Sequence, residues 1–268
     1  MWRSWDDLLD LWTRAERAGF DLAFNTDHFQ SDWEGDAGPT LEAWTMLAAL
    51  AREVPRIQVG TYVNGITHRP VAILAKQTVT VDHLSGGRLI LGLGAAWNEP
   101  EHAAYGIAFP PIGERVGLVE EALEAIRRLE SEPRATFDGR FLQLRDAPFE
   151  PKPLKGHIPI LIGSRRPRML RLAARYADLV DLAEAGPEEI ARIDTELATA
   201  CAAAGRHPDA IAWTHEAIAG PDPAAELEAR VAALAPLGVS VFLVNIWPRS
   251  DSRLVDRAGA ALDRLRRR

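Results

Sequence analysis

Short apolar runs of strand length alternate with helical patterns along almost the whole chain, and that alternation leaves few folds open. Seven runs qualify: Leu22 to Asn25, Ile57 to Val63, Leu89 to Leu93, Ile158 to Ile162, Leu179 to Leu182, Ile211 to Thr214 and Val239 to Asn245. They are continuous rather than alternating, as in parallel strands buried on both faces. Eight stretches repeat apolar residues near every 3.6 positions, over about 5–18, 41–53, 70–83, 113–130, 167–176, 187–204, 223–236 and 252–266. Helix comes first, then strand and helix in turn. This predicts an α/β fold, a (β/α)8 or TIM barrel that lacks its first strand. An open parallel edge would leave backbone donors and acceptors unpaired. Either the true start lies upstream of Met1, which is the preferred expectation, or the barrel closes with a neighbour or across a gap.

A chain of 268 residues suits one such domain, since these barrels run to roughly 250 residues. The net charge of -7 gives no footprint for nucleic acid. No stretch reaches the ~20 apolar residues of a membrane span, and the N-terminus has no signal-peptide core. Cys201 is the single cysteine and excludes an internal disulfide, so cytoplasm is the expected location. The chain is read as one domain, 1–268, with an insertion at 96–157 between the third and fourth of the seven runs. Within it Phe137-Asp138-Gly139-Arg140-Phe141 has the D-G turn of a small hairpin, and one helix is expected near its centre. Long loops of this kind usually carry function.

Polar residues gather where the runs end, the place where a barrel builds its active site. Asp27-His28 follows the first run, and imidazole, with an ordinary pKa of ~6.5, moves protons both ways near neutrality. His28 is either the catalytic group or a structural histidine bonded to a loop; Asp27 either assists it or faces inward to pin backbone amides. Thr61 and Asn64-Gly65 end the second run, where the pair permits a bulge or close approach of backbone to a flat ligand. His68 either reaches the mouth or caps the next helix. Gly92-Leu93-Gly94-Ala95-Ala96-Trp97 lacks the third small residue of a dinucleotide fingerprint. Its small residues instead leave room for a ring system, with Trp97, Asn98, Glu99 and Glu101 along the rim. Gly163-Ser164-Arg165-Arg166-Pro167 offers free amides at a helix start beside arginines, which suits a phosphate. No HExxH and no Cys/His cluster at ligand spacing occurs, so no metal is expected.

Ala18-Gly19-Phe20-Asp21, Asp27-His28-Phe29, Val81-Asp82-His83-Leu84-Ser85-Gly86-Gly87-Arg88-Leu89 and Leu91-Gly92-Leu93-Gly94-Ala95-Ala96-Trp97 together resemble the luciferase-like monooxygenase family. Glu101 with Tyr105-Gly106, Glu114-Arg115, Pro159 to Ser164, and Ala173 to Asp178 extend the match over about residues 5–182. The resemblance implies a bacterial luciferase-like TIM barrel with a flavin or deazaflavin at the strand C-termini, and a homodimer. Asp27-His28 resembles the branch that uses coenzyme F420, with His28 beside the redox ring as acid or base. Asn64-Gly65 matches the family's bulge behind the ring, often with a non-proline cis peptide; Gly163-Ser164 matches its phosphate contact. Ala96 departs from a frequent glycine, and Ser164 from another.

The expected function is therefore that of an F420-dependent oxidoreductase, which passes hydride between the deazaflavin and a small organic substrate. The expected catalytic residues are His28 and Asp27. Thr61, Asn64, Gly65, Gly94, Trp97, Gly163, Ser164 and Arg165 are expected to hold the cofactor. The alternatives are an FMN-dependent monooxygenase on the same fold and a cofactor-binding barrel without turnover.

Overall fold

The computed structural model describes residues 4–30, 39–163, 165–218, 222–246 and 251–267. In chain order the elements are α1 (Trp5–Arg17), β1 (Leu22–Asn25), α2 (Ala43–Glu53), β2 (Gln58–Thr61), β3 (Asn64–Gly65), α3 (Val71–Ser85), β4 (Leu89–Gly94) and α4 (Glu99–Ala104). There follow α5 (Ile112–Ser131), β5 (Arg134–Asp138), β6 (Gln143–Pro148), β7 (Ile160–Ile162), α6 (Pro167–Tyr176) and β8 (Leu179–Asp181). The chain ends through α7 (Pro187–Ala204), β9 (Ala212–Ile218), α8 (Pro223–Leu234), β10 (Val239–Asn245) and α9 (Arg253–Leu265). Each expected helix and strand is present with bounds shifted by a few residues. The insertion holds a second helix, α4, that periodicity did not predict, because six residues make fewer than two turns and carry no repeat. Among the described residues no strand precedes Leu22, and no helix is long and apolar enough to cross a membrane.

The chain divides into two compact units, 24–52 with 59–162, and 1–23 with 53–58 and 163–268. In the first, β4 is the central strand. It runs parallel to β2 (Gly60 opposite Ile90), to β3 (Asn64 opposite Leu93) and to β7 (Gly92 opposite Leu161). All six residues of β4 are buried, the reason its sequence is a continuous apolar and glycine run. Gly92 is required there: a Cβ would sit 2.0 Å from the carbonyl oxygen of Thr61. Helix α3 buries Val71, Leu74, Ala75, Val79 and Val81, and α2 buries Trp44, Leu47 and Leu50. Each such large side chain contributes roughly 1.5–3 kcal/mol on burial. Helix α3 stops at Gly86, whose φ of 71° is left-handed, as the Ser85-Gly86-Gly87 sequence requires. The predicted hairpin is β5 paired antiparallel with β6, Asp138 opposite Gln143.

In the second unit β9 runs parallel to both β8 (Val180 opposite Trp213) and β10 (Leu243 opposite Glu216). Helix α1 opens with a capping box between Ser4 and Asp7. It is joined to α9 by Arg14 and Asp256 at 2.9 Å, while Arg266 donates to Asp21 at 2.7 Å. Cys201 is buried in α7 with Ile190, Ile193 and Leu197.

Candidate active site

The turn after β1 and the turn after β3 meet in the first unit through buried charge. Asp27 and His28 are neighbours in sequence but engage different partners. The Asp27 carboxylate, 1% exposed, faces inward and takes a bidentate pair from Arg69, both contacts at 2.7 Å, with His68 Nδ1 at 3.2 Å. Burial works against the charged form of Asp27, but the hydrogen bonds from Arg69 and His68 outweigh it and hold the group below its ordinary 3.8. His28 faces the other way. Its Nδ1 lies 2.9 Å from Glu101 Oε2, and its side chain keeps 19% exposure. The partner of His28 is thus Glu101, not Asp27.

Glu101 is fully buried. Its Oε1 accepts the backbone N–H groups of Phe29 at 2.7 Å and Gln30 at 3.3 Å, so this carboxylate fixes both the imidazole and the loop that carries it. Asn98 places it, by capping α4 through the N–H of Glu101. Sequence reasoning put Glu101 on the rim; the available signal for its burial was the Asn-x-x-Glu start of a short helix, which gives no direction. Trp97 is 61% exposed and meets His28 edge-on, ring centroids 5.5 Å apart. Among the described residues His28 Nε2 has no hydrogen-bond partner.

Thr61 and Asn64 are both fully buried. Asn64 Nδ2 donates to Thr61 Oγ1 and, at 2.6 Å, to the carbonyl of Gly92, while its Oδ1 accepts from Trp44 Nε1 at 2.7 Å and from Arg69 at 3.3 Å. Their side chains are consumed in locking β3 onto β4, where Gly65 lies opposite Gly94. A Cβ on Gly65 would meet the His68 ring at 2.9 Å. The non-proline cis bond expected at Asn64-Gly65 stands two residues earlier, at Tyr62-Val63. In the second unit, Gly163 and Arg165 precede α6, and Arg165 pairs with Glu189 of α7 at 2.9 Å. Ser164 lies outside the described residues.

His68, Glu101 and His102 bring one ligand atom each within 4.8 Å of one another, a grouping invisible in a sequence that sets His68 far from the adjacent Glu101 and His102. Hydrogen bonds already engage most of these atoms. His102 Nδ1 lies 2.7 Å from the Asn98 carbonyl and its Nε2 2.6 Å from Thr67 Oγ1. Burial lowers the His102 pKa, which favours the neutral ring that such a pairing needs. Arg115 closes the far side, donating to Ala95 O at 2.8 Å and lying over the Phe109 ring at 3.7 Å.

A barrel-like strand order with a polar cluster at strand ends defines a class, and comparison with known proteins identifies the family. The luciferase-like monooxygenase family matches residues 3–264, and the chain belongs to it. An F420-dependent glucose-6-phosphate dehydrogenase of Intrasporangium calvum is 37% identical over 175 residues, covering 64% of this chain and 52% of that protein. A 5,10-methylenetetrahydromethanopterin reductase of Archaeoglobus fulgidus is 31% identical over 196 residues, 73% of this chain and 54% of that one. The chain spans about half the length of the curated relatives it matches. Among solved structures, an F420-dependent secondary alcohol dehydrogenase in complex with an F420-acetone adduct superposes with a TM-score of 0.84 at 19% identity, over 97% of this chain and 94% of that one. The fold is therefore the luciferase-like TIM-barrel type, as the sequence predicted.

Proposed function

We propose that the chain is an F420-dependent oxidoreductase that passes hydride between the deazaflavin and a small organic substrate. The observation that carries it is the pairing of a half-buried imidazole, its Nδ1 held by a buried carboxylate, with the exposed ring of Trp97. That arrangement fits a flat redox ring: an apolar face to lie against and a proton carrier at its edge. The deazaflavin, when bound, supplies the centre that gives or takes hydride. His28 holds or moves the accompanying proton at Nε2. Asp27 serves from behind, by fixing Arg69 and His68 under the loop.

In this reading Gly65 and Gly94 leave room behind the ring and Thr61 and Asn64 keep that wall rigid, while Gly163, Ser164 and Arg165 take the phosphate end. A single catalytic domain with 96–157 as its insertion, a homodimer, a cytoplasmic location and a reaction without metal complete the reading. F420 is preferred to FMN because relatives at 31–37% identity are named for F420-dependent or methanopterin-linked redox reactions. A barrel without turnover is disfavoured by the ordered, partly exposed His28.

A fluorescence-quench titration with oxidised F420 and, in parallel, FMN tests this. Micromolar or tighter binding of F420 is expected, and preference for FMN would overturn it. His28→Ala should keep F420 affinity and lose roughly 10²–10⁴-fold in turnover, the usual worth of a positioned acid or base. Unchanged turnover would remove His28 as the proton carrier.

A further inference from the structure

We infer that Glu101 is a positioning residue that sets the tautomer of His28, so that the neutral ring carries its hydrogen on Nδ1 and presents a bare lone pair at Nε2. The inference rests on the reading of His28 as proton carrier. It makes His28 a base toward a hydroxyl-bearing substrate: the substrate O–H bond breaks, an N–H bond forms at Nε2, and the electron pair stays on the substrate oxygen.

The geometry supplies the argument. A carboxylate only accepts hydrogen bonds, and Glu101 Oε2 lies 2.9 Å from His28 Nδ1, so the hydrogen of that contact belongs to the imidazole. The other oxygen cannot change places freely, because Oε1 already accepts from Phe29 N at 2.7 Å and Gln30 N at 3.3 Å. Full burial of Glu101 removes water as a competing donor. The remaining nearby donor is His68 Nε2, at 3.9 Å from Oε2, beyond hydrogen-bond reach. His68 is itself turned to Asp27, and Arg69 holds Asp27 from the other side. Nothing described competes with His28 for Oε2 within bonding distance. The orienting of a histidine through one nitrogen to define the role of the other is a general catalytic device.

Glu101→Gln separates this role from simple support of the loop. With its carbonyl oxygen toward Phe29 and Gln30, the amide keeps both backbone bonds and turns its NH₂ toward His28. Nδ1 must then accept, and the hydrogen moves to Nε2. Long-range ¹H–¹⁵N spectra of the ligand-free, ¹⁵N-labelled protein read the tautomer directly, at about two pH units above the ordinary histidine pKa of ~6.5. His28→Ala assigns the resonance. The wild type should show protonated Nδ1 and bare Nε2, and Glu101→Gln the reverse.

With F420 bound, Glu101→Gln should lose roughly 10²–10⁴-fold in kcat, no more than His28→Ala does, because the wrong tautomer removes the acceptor at Nε2, with little change in F420 affinity. A wild-type His28 protonated on Nε2, an unchanged tautomer in the variant, or a reversed tautomer with undiminished kcat would each overturn the inference. The wild-type spectrum, assigned with His28→Ala, needs no cofactor. Failure of F420 to bind would therefore undo the functional reading while leaving the tautomer assignment standing.

Discussion

Two polar turns at strand ends, one in each compact unit, handle charge in opposite ways. Around the turn after β1 the charged side chains are buried: Asp27 is 1% exposed, Arg69 of the turn after β3 9% and Glu101 of α4 0%. In the turn before α6 the pair Arg165–Glu189 is 35% and 40% exposed. A buried ion loses its water, so each must be matched by geometry, and the first turn does so with a bidentate pair and converging N–H donors. An exposed pair keeps its water and is exchangeable. The first turn holds one arrangement, which suits the proton transfer proposed for His28; the second leaves the Arg165 cation in an exchangeable pair, which suits the phosphate contact proposed for it.

The largest effect should come from breaking the buried pair. Arg69→Met leaves Asp27 charged, buried and without its bidentate partner, at an expected cost of about 3–5 kcal/mol, measured by urea unfolding. Asn64 and Glu42 also lose a contact, at 3.3 Å and 3.5 Å, which adds to the cost. A loss of under ~1 kcal/mol, the worth of an exposed pair, would erase the contrast between the turns.

Acid sharpens the comparison within the first unit, because two of its buried carboxylates are shifted in opposite directions. Asp27 is held below its ordinary 3.8 despite burial. Its contribution to stability is present above 3.8 and is lost as pH falls toward the folded-state value. Glu130 is pushed above its ordinary 4.5 by burial, which Arg127 and the N–H of Ile158 only partly offset. The folded state there binds the proton more tightly than the unfolded chain, so that contribution is full below 4.5 and is lost as pH rises through the folded-state value. Urea midpoints against pH should show Asp27→Asn with a shallower decline below 3.8 and Glu130→Gln with less loss above 4.5. Identical profiles for both variants and the wild type would show that neither carboxylate titrates differently on folding.

The same contrast explains what the sequence made legible. Strands such as β4 announce themselves because burial on both faces demands continuous apolar residues. The Asp27-His28 pair was visible as polar residues at a strand end, but adjacent side chains leave an extended backbone in opposite directions, so their separation into two networks was not. Glu101 stands 73 residues from His28, and no periodicity links them. Ala96, in place of a frequent family glycine, has a φ of 60°, so the departure falls where the backbone itself favours glycine. The strand-to-helix turn before α6 was legible from its glycine and Pro167, while the ion pair that occupies Arg165 depends on packing of α6 and α7 that sequence does not state.

The smallest effect is expected at that ion pair. Glu189 also approaches Arg192, at 3.5 Å, so its charge is shared between two exposed guanidinium groups, and Arg192 has Glu196 at 2.6 Å in reserve. Glu189→Ala should thus change unfolding stability by less than about 1 kcal/mol. The removal of a competing carboxylate frees Arg165 for an anion, and a pair worth 0.2–1 kcal/mol corresponds to a gain in F420 affinity of roughly 1.4–5-fold. A stability loss above ~2 kcal/mol would place this turn with the buried one. Weakened F420 binding would mean that Glu189 orients Arg165 for its ligand, and the exchangeable pair would have to be redrawn as a fixed one.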